Sequence, residues 1–456
     1  MAFEQLSNST ALLMSVVVFG LILYDAHRDL YRLLTGRTVV LLAILLWYLL
    51  EAVRIPNDSM PHTLRSFSQT QYDTGLAVVA LALITFLIGY HHSRLRIFDD
   101  ISRRLIQVDS DNVLWALFLS GCAIGLAPMI YFADFDLTVL FEGIFGLDER
   151  WTWKLQRGRF GGLRDALLEL QMFLRAVVPL ATVIIFTKSS TGMRRAICLF
   201  FITWMLLRAN ASGARSSMIP IVIPIAAAIF WKSSRDVQKW LIILGIPAAL
   251  VTGYFYSAMV VAGRNDGEVA VEQTLAAADE YTGFEMFREL LYIVENVPDE
   301  VDYQWGKSYA NQIINPIPRY FWEGKPVWDA GILLAREMGM VDENGRVILT
   351  NSPGFIGEAY LNFGILGVVF VPFFSGMVIR AWDRIFVLCG QSFLLFVVYG
   401  AGLANILASG RSISISTYYG MIALYILLFL IETFLGTGAS PPRRGQRLGV
   451  RREVPA

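Results

Sequence analysis

Long apolar stretches alternate with short polar ones along most of the chain. A helix rises 1.5 Å per residue, so about 20 apolar residues cross the hydrocarbon core of a bilayer. Stretches of about this length predict a helical bundle with about 11 transmembrane helices. The predicted spans lie near residues 10–25, 38–53, 74–91, 112–132, 166–187, 195–209, 216–231, 239–263, 356–380, 387–408 and 413–435.

Basic residues cluster after every second predicted span, which sets the expected orientation. Loops on the cytoplasmic side of a membrane carry the excess of Lys and Arg. The clusters follow the first, third, fifth, seventh, ninth and last spans. We therefore predict a periplasmic N-terminus and a cytoplasmic C-terminus. Residues 1–439 form the predicted transmembrane domain, and the Pro-, Gly- and Arg-rich segment 440–456 is a predicted disordered cytoplasmic tail.

Two longer polar insertions, 133–165 and 264–355, then lie on the outer side, away from cytoplasmic ATP and nucleotide sugars. The first half of the larger insertion is rich in Asp and Glu. Its apolar residues recur at helical spacing, which predicts amphipathic helices. These residues are Phe284, Phe287, Leu291 and Val294. The second half contains an aromatic and proline-rich stretch that cannot be regular helix.

The composition agrees with a membrane protein and excludes several other classes. Hydrophobic residues make up 55% of the chain and charged residues 17%, too apolar for an ordinary soluble enzyme. Lys and Arg total 38, as do Asp and Glu, so a strongly basic nucleic-acid binder is excluded. The three cysteines lie far apart in apolar segments, which argues against a disulfide framework. The four histidines are mostly on the predicted cytoplasmic side, so neither a Ser-His-Asp triad nor a zinc site can form outside.

Several basic residues lie at helix ends on the outer side, where Lys and Arg are normally depleted. Arg175 is about nine residues into the fifth predicted span, which places it roughly 13 Å below the outer surface. Such a group could snorkel to lipid phosphates or pair with outer acids, the interpretation we favour for the basic residues of 150–164. Several cations at one mouth would instead repel one another unless an anion joined them. The planar fork of Arg fits the oxygens of a diphosphate, so we favour a phosphorylated, lipid-linked ligand.

Two acidic motifs are weaker indications. Asp134-Phe-Asp136 has the spacing of a metal-binding pair, but so short a pattern arises by chance and no nucleotide-binding context surrounds it. We therefore expect no metal and no cofactor. Glu358 opens the ninth span. It is either a carboxylate favoured by the helix dipole or a group that positions or deprotonates a sugar hydroxyl, and the sequence leaves both possibilities open.

Five motifs in the C-terminal half resemble those of the Wzy-type O-antigen and oligosaccharide repeat-unit polymerases, in the same order. They are Gly213-Ala-Arg-Ser-Ser217, Gly263-Arg264, Pro318-Arg-Tyr-Phe-Trp322 with Lys325-Pro326, Gly357-Glu-Ala-Tyr-Leu-Asn-Phe-Gly364 and Ser409-Gly-Arg411. The resemblance implies a GT-C-like, lipid-donor glycosyltransferase of lipopolysaccharide biosynthesis in a bacterial inner membrane. Such an enzyme moves a growing glycan from undecaprenyl diphosphate to an undecaprenyl-diphosphate-linked repeat unit at the periplasmic face, and it can act with a chain-length regulator.

The resemblance also implies roles for individual residues. Glu358, Arg215 and Arg411 would be catalytic. The diphosphate and the glycan would contact Arg175, Arg208, Arg264, Arg319, Lys325, Tyr320, Trp322, Tyr360 and Asn351. Two alternatives remain. An O-antigen ligase usually has a histidine in the large outer loop, and this loop has none. A lipid-linked oligosaccharide flippase would have an internal repeat and charges near the bilayer midplane, which we do not find.

Overall fold

The computed structural model is helical throughout the residues that it describes. These residues are 7–55, 67–108, 110–132, 135–136, 167, 169–211, 218–265, 286–314, 317, 321–326, 329–339, 341, 347, 352–411 and 415–435. Within them the only extended pairing is an isolated antiparallel bridge between Val341 and Val347.

The helices follow one another along the chain with short connections. The first group is α1 (Ser9–Arg28), α2 (Gly36–Arg54), α3 (Gln69–His92), α4 (Asp99–Gln107), α5 (Asp111–Phe132), α6 (Met172–Phe186), α7 (Gly192–Ala211) and α8 (Ile219–Lys232). The second group is α9 (Arg235–Trp240), α10 (Ile246–Asn265), α11 (Met286–Asn296), α12 (Lys307–Ile314), α13 (Ala330–Glu337), α14 (Gly354–Leu388), α15 (Phe393–Ser409) and α16 (Ile415–Leu435). A π-helical turn, Leu241–Gly245, joins α9 to α10.

Each of the predicted spans overlaps one of these helices. Six helical segments are long and apolar enough to cross a membrane, and four shorter helices are also apolar. The chain is therefore a helical membrane protein. The number of spans, eleven, and their orientation stay predictions. One boundary was wrong: a 3₁₀ turn at Glu169–Gln171 precedes α6, so Arg175 lies in the first turn of its helix rather than deep within it.

Helices α3 and α14 pack closely along most of α3. A Cβ atom on Gly89 would lie 2.0 Å from the carbonyl oxygen of Phe373, and one on Gly376 would lie 2.3 Å from that of Phe86. Only glycine allows this approach, and small residues have this role in many membrane helix pairs. The Thr85 hydroxyl donates a hydrogen bond across the interface to the Val368 carbonyl (3.2 Å).

Helix α6 is the centre of a second group of helices. Its residues Val177, Leu180 and Ala181 are fully buried, and α5, α7, α8, α15 and α16 surround it. Helix α15 contacts α2 and α14 as well as α6 and α8. Because α15 belongs to both groups, it joins them into one bundle.

A buried carboxylate fixes one end of this bundle. Asp383 accepts hydrogen bonds from the backbone amides of Gly36 (2.7 Å) and Arg37 (3.1 Å) and from the hydroxyls of Tyr90 and Tyr399 (both 2.9 Å). The Arg37 guanidinium pairs with Asp25 at 2.9 Å. These contacts connect α1, α2, α3, α14 and α15 at what we name the Asp383 end.

The opposite end, where α11, α12 and α13 pack, is named the loop end. Helix α11 buries Phe287 and Leu291 and partly buries Val294, which confirms the predicted amphipathic face; Phe284 lies outside the described residues. A carboxylate oxygen of Glu51 in α2 accepts a hydrogen bond from the Phe287 amide (2.6 Å). The polar insertion is therefore attached to the bundle and forms a platform over one end of it.

Candidate functional site at the loop end

Helix α14 is interrupted close to its start. Phe363 and Gly364 leave the helical conformation, and Gly364 adopts φ +60°, a value that favours glycine. The Leu361 and Asn362 carbonyls before the break accept hydrogen bonds from the amides of Gln304 and Trp305, both at 3.0 Å. The break thus holds the loop before α12 against the first two turns of α14.

Glu358 lies in those first two turns and is 1% exposed. Its Oε1 accepts a hydrogen bond from the Ser308 hydroxyl at the start of α12 (2.8 Å). The Asn362 amide donates to Ser308 Oγ and to the Glu358 carbonyl, both at 2.8 Å, and its Oδ1 accepts from the Gly306 amide (2.9 Å). Glu358 therefore lies inside the protein, covered by α12, whereas we had expected lipid to shield it.

Two tyrosines contribute hydroxyl groups close to Glu358. The Tyr48 hydroxyl accepts a hydrogen bond from the Ile356 amide (3.3 Å). The Tyr309 ring stacks on Phe363, with centroids 6.4 Å apart, and its buried hydroxyl has no hydrogen-bond partner among the residues that the structure describes. Burial, and secondarily the charge of Glu358, raises the pKa of Tyr309 well above its usual range, so the phenol stays protonated at neutral pH.

The turn between α15 and α16 lies beside the start of α14. The Ser352 hydroxyl donates to the Arg411 carbonyl (2.6 Å), and the Phe355 amide donates to the Gly410 carbonyl (3.2 Å). Arg411 is thereby held at the helix start that carries Glu358. The structure agrees here with the expectation that these two distant motifs meet at one end of the bundle.

A second cationic position is formed by α6 and α7. Arg208 Nη2 donates to Gln171 Oε1 (2.7 Å), its Nη1 lies 3.9 Å from the Met129 sulfur, and its guanidinium carbon lies 5.6 Å from the centre of the Trp204 ring. All of these partners are uncharged. The side chain is largely enclosed by protein, and no carboxylate contacts it in the described part of the chain.

Arg175, at the start of α6, is the charged group close to Arg208, and the two positive charges oppose each other. Arg175 is exposed, and its Cβ would lie 3.2 Å from a Cβ placed on Gly420 of α16. Two turns earlier in the chain, the Tyr418 hydroxyl shares a hydrogen bond with Ser409 (2.8 Å), just before Arg411. The start of α16 therefore connects the Arg208 position with the Arg411 and Glu358 position.

Other predicted site residues do not join this group. Lys325 Nζ donates to the Ile317 carbonyl of its own loop (2.9 Å), and Trp322 is 41% exposed. Tyr360 packs against the small apolar cluster around Ile293 and Leu334, so it serves as a core residue there.

Several predicted residues lie outside the described residues or have undescribed side chains. They are Asp134, Arg215, Arg264, Arg319, Tyr320 and Asn351. The described residues contain no group of three or more His, Cys, Asp or Glu side chains placed to hold a metal ion.

The sequence analysis missed Gln171, Ser308, Tyr309 and Tyr48. Each is an ordinary polar or aromatic residue without a motif, and only tertiary contacts bring them to Arg208 or Glu358. The loop before α12 was recognised only as part of a polar insertion. No spacing in that insertion indicated a helix that covers Glu358.

These features define a helical membrane protein with arginines and a buried carboxylate gathered at one end. Residues 165–435 match the model of a family described as a domain of unknown function, DUF8712. Because the match covers more than half of the chain, the protein belongs to this family. The matched segment includes Arg208, Glu358 and Arg411, whereas Tyr48 precedes it. No curated protein and no solved structure matches the chain.

Proposed function

We propose that this protein is a glycosyltransferase that polymerises a surface polysaccharide, the O-antigen of lipopolysaccharide. It transfers a growing glycan from undecaprenyl diphosphate to an undecaprenyl-diphosphate-linked repeat unit. The loop end faces the periplasm in this proposal, and the protein resides in a bacterial inner membrane. A chain-length regulator is a possible protein partner.

The observation that carries the proposal is the environment of Arg208. A buried cation normally has an anionic partner, because removing its hydration costs several kcal/mol. Arg208 instead contacts an amide oxygen, a thioether and an indole ring, and Arg175 adds a second positive charge nearby. An anion with several oxygen atoms would compensate both charges. A lipid diphosphate supplies such a group at this depth.

The proposed chemistry divides between the two parts of the site. The acceptor hydroxyl oxygen forms a bond to the anomeric carbon of the donor glycan, and the bond from that carbon to the diphosphate oxygen breaks. The departing diphosphate gains negative charge, which Arg175, Arg208 and Arg411 stabilise. The Glu358 carboxylate takes the proton from the acceptor hydroxyl. For this step the acceptor hydroxyl replaces Ser308, which donates to Glu358 in the structure.

The test uses the purified full-length protein in vesicles with a defined undecaprenyl-diphosphate-linked repeat unit, with and without a chelator. Chain extension in both conditions is the expected result. Movement of the intact lipid across the membrane without extension would indicate a flippase, and transfer only to a lipid A core acceptor would indicate a ligase. Either of these outcomes contradicts the proposal.

Variants in cells provide a second test. Arg215→Ala and Arg411→Ala should leave the protein inserted in the membrane but reduce the polysaccharide to single-repeat products. Arg194→Ala is the control, because Arg194 is exposed at the opposite end of α7 and bonds to Asn112 (2.9 Å). Normal chain lengths in both site variants would show that these arginines do not hold the leaving group.

A further inference from the structure

We infer that Tyr309 is an acceptor-binding residue whose hydroxyl donates a hydrogen bond to a hydroxyl group of the acceptor sugar beside Glu358. This inference rests on the proposed function and deepens it, because it assigns the acceptor to one part of the site. Tyr309 is not among the residues that the sequence motifs single out.

The first argument is the unsatisfied hydroxyl of Tyr309. Its oxygen is buried, yet no donor or acceptor reaches it among the described residues. Leaving a buried hydroxyl without a partner is unfavourable, and folded proteins rarely do so. The ring is fixed by its stacking on Phe363 and by the preceding residue, Ser308, which is bonded to Glu358. The hydroxyl therefore cannot easily turn toward solvent, and a bound ligand would supply the missing partner.

The second argument is the chemistry of the surrounding groups. Glu358 and the Tyr48 hydroxyl are both close enough to Tyr309 to affect it electrostatically. A carboxylate repels a phosphate, so this position does not suit the diphosphate, which the arginines attract. A sugar hydroxyl fits, because it can donate to Glu358 and accept from Tyr309 at the same time. Tyr309 is a suitable donor, since burial and Glu358 keep its phenol protonated.

The third argument is the position of α12. Ser308 and Tyr309 are the second and third residues of this short helix, and they bring two hydroxyl groups next to Glu358. In the structure the Ser308 hydroxyl occupies the carboxylate oxygen that an acceptor would use. When the acceptor hydroxyl takes that place, Tyr309 is the adjacent donor that can hold it. The acceptor sugar is then bound between α12 and α14.

The test compares Tyr309→Phe with wild type in the full-length protein. Chain extension is measured against the concentration of the repeat-unit acceptor, and thermal unfolding is measured without ligand. The loss of one hydrogen bond to the acceptor should lower kcat/KM for the acceptor about 10-fold. The unfolding temperature should be equal to or above that of wild type, because the variant removes an unsatisfied hydroxyl.

Tyr72→Phe is the matched control. The Tyr72 hydroxyl is buried and donates to the Ala52 carbonyl at 2.7 Å, outside the proposed site. This control should lower the unfolding temperature and leave kcat/KM unchanged. If Tyr309→Phe behaves like the control, or if it leaves kcat/KM unchanged, Tyr309 is a structural residue and the inference is overturned.

A binding measurement separates this inference from the proposed function. The rise in unfolding temperature is recorded with undecaprenyl diphosphate alone and with the glycan-bearing lipid. The extra rise due to the glycan should be present in wild type and smaller in Tyr309→Phe. If wild type shows this pattern but extends no chains, the polymerase proposal fails and the acceptor site stands. An equal glycan-dependent rise in both proteins overturns the acceptor site.

Discussion

Arg208→Met separates the role of Arg208 in function from its role in stability. The substitution keeps a long, flexible side chain and removes the charge. In the structure, Arg208 donates to Gln171 Oε1 at 2.7 Å and lies over the Trp204 ring. Both contacts are with neutral groups. We therefore expect the variant to fold and insert normally while losing most of its glycosyl-transfer activity.

The magnitude for stability follows from opposing contributions. The hydrogen bond from the charged guanidinium to Gln171 contributes about 1.5–3 kcal/mol, and the contact with Trp204 about 0.5–2 kcal/mol. Enclosing a cation without an acid costs several kcal/mol, and the methionine variant avoids this penalty. These contributions nearly cancel. The free energy of unfolding should change by about 1 kcal/mol or less.

The magnitude for activity is larger. If Arg208 stabilises the charge that develops on the departing diphosphate, its removal costs roughly 3–4 kcal/mol in the transition state. The corresponding loss of kcat is about 10²–10³-fold. The assay is chain extension with the purified protein, accompanied by the apparent unfolding temperature in the same detergent or vesicle preparation.

Arg194→Met is the matched control on the same helix. Arg194 also donates to a side-chain amide, Asn112 at 2.9 Å, and lies 5.6 Å from a tryptophan ring, Trp115, but at the opposite end of α7. It should leave both measurements nearly unchanged. The reasoning is refuted if Arg208→Met keeps wild-type turnover, or if its activity falls only in proportion to a large loss of folded protein.

Three other substitutions test the remaining parts of the structure. Glu358→Gln should reduce chain extension at least about 10²-fold while undecaprenyl diphosphate still raises the unfolding temperature, since the variant loses a proton acceptor but not the arginines; unchanged turnover would remove Glu358 from the mechanism. Gly364→Ala should destabilise the protein by about 1–3 kcal/mol, because φ is +60° and the new Cβ would lie 2.8 Å from the Tyr303 hydroxyl, whereas Gly20→Ala, with nothing within 4 Å, should not; equal unfolding temperatures for the two variants would contradict the break in α14. Asp383→Ala should cost at least about 3 kcal/mol in thermal unfolding, since four donors lose their acceptor, and residual folded protein should keep its specific activity; a stable variant would argue against the Asp383 end as a structural anchor.

The fold was largely predictable because lipid imposes one rule along the whole chain. Backbone groups cannot stay unpaired in hydrocarbon, so every apolar stretch of sufficient length is helical. The predicted spans accordingly overlap helices, and the amphipathic pattern of Phe287 and Leu291 correctly indicated a buried face on α11. The error at Arg175 arose because hydrophobicity continues through residues 166–171, and apolar composition does not mark where an α-helix begins.

The candidate site was only partly predictable, for a different physical reason. Arg208, Arg411 and Glu358 were expected because charged residues at the ends of apolar helices are rare. Their partners carry no such signal. Gln171 beside Arg208 and Ser308 on Glu358 depend on hydrogen bonds between residues 37 and 50 positions apart. Contacts of this kind depend on which helices pack together, and hydrophobic spacing does not specify that choice.

The sequence by itself determined a helical membrane protein, the approximate limits of its helices and the unusual outer arginines, because each depends on local composition. The tertiary structure decided how these elements meet. Close packing at Gly89 and Gly376 joins α3 to α14, the break at Gly364 holds α12 over Glu358, and the packing of α6 against α7 leaves Arg208 among neutral partners. These are relations between distant segments, set by shape and by the need to pair buried polar groups.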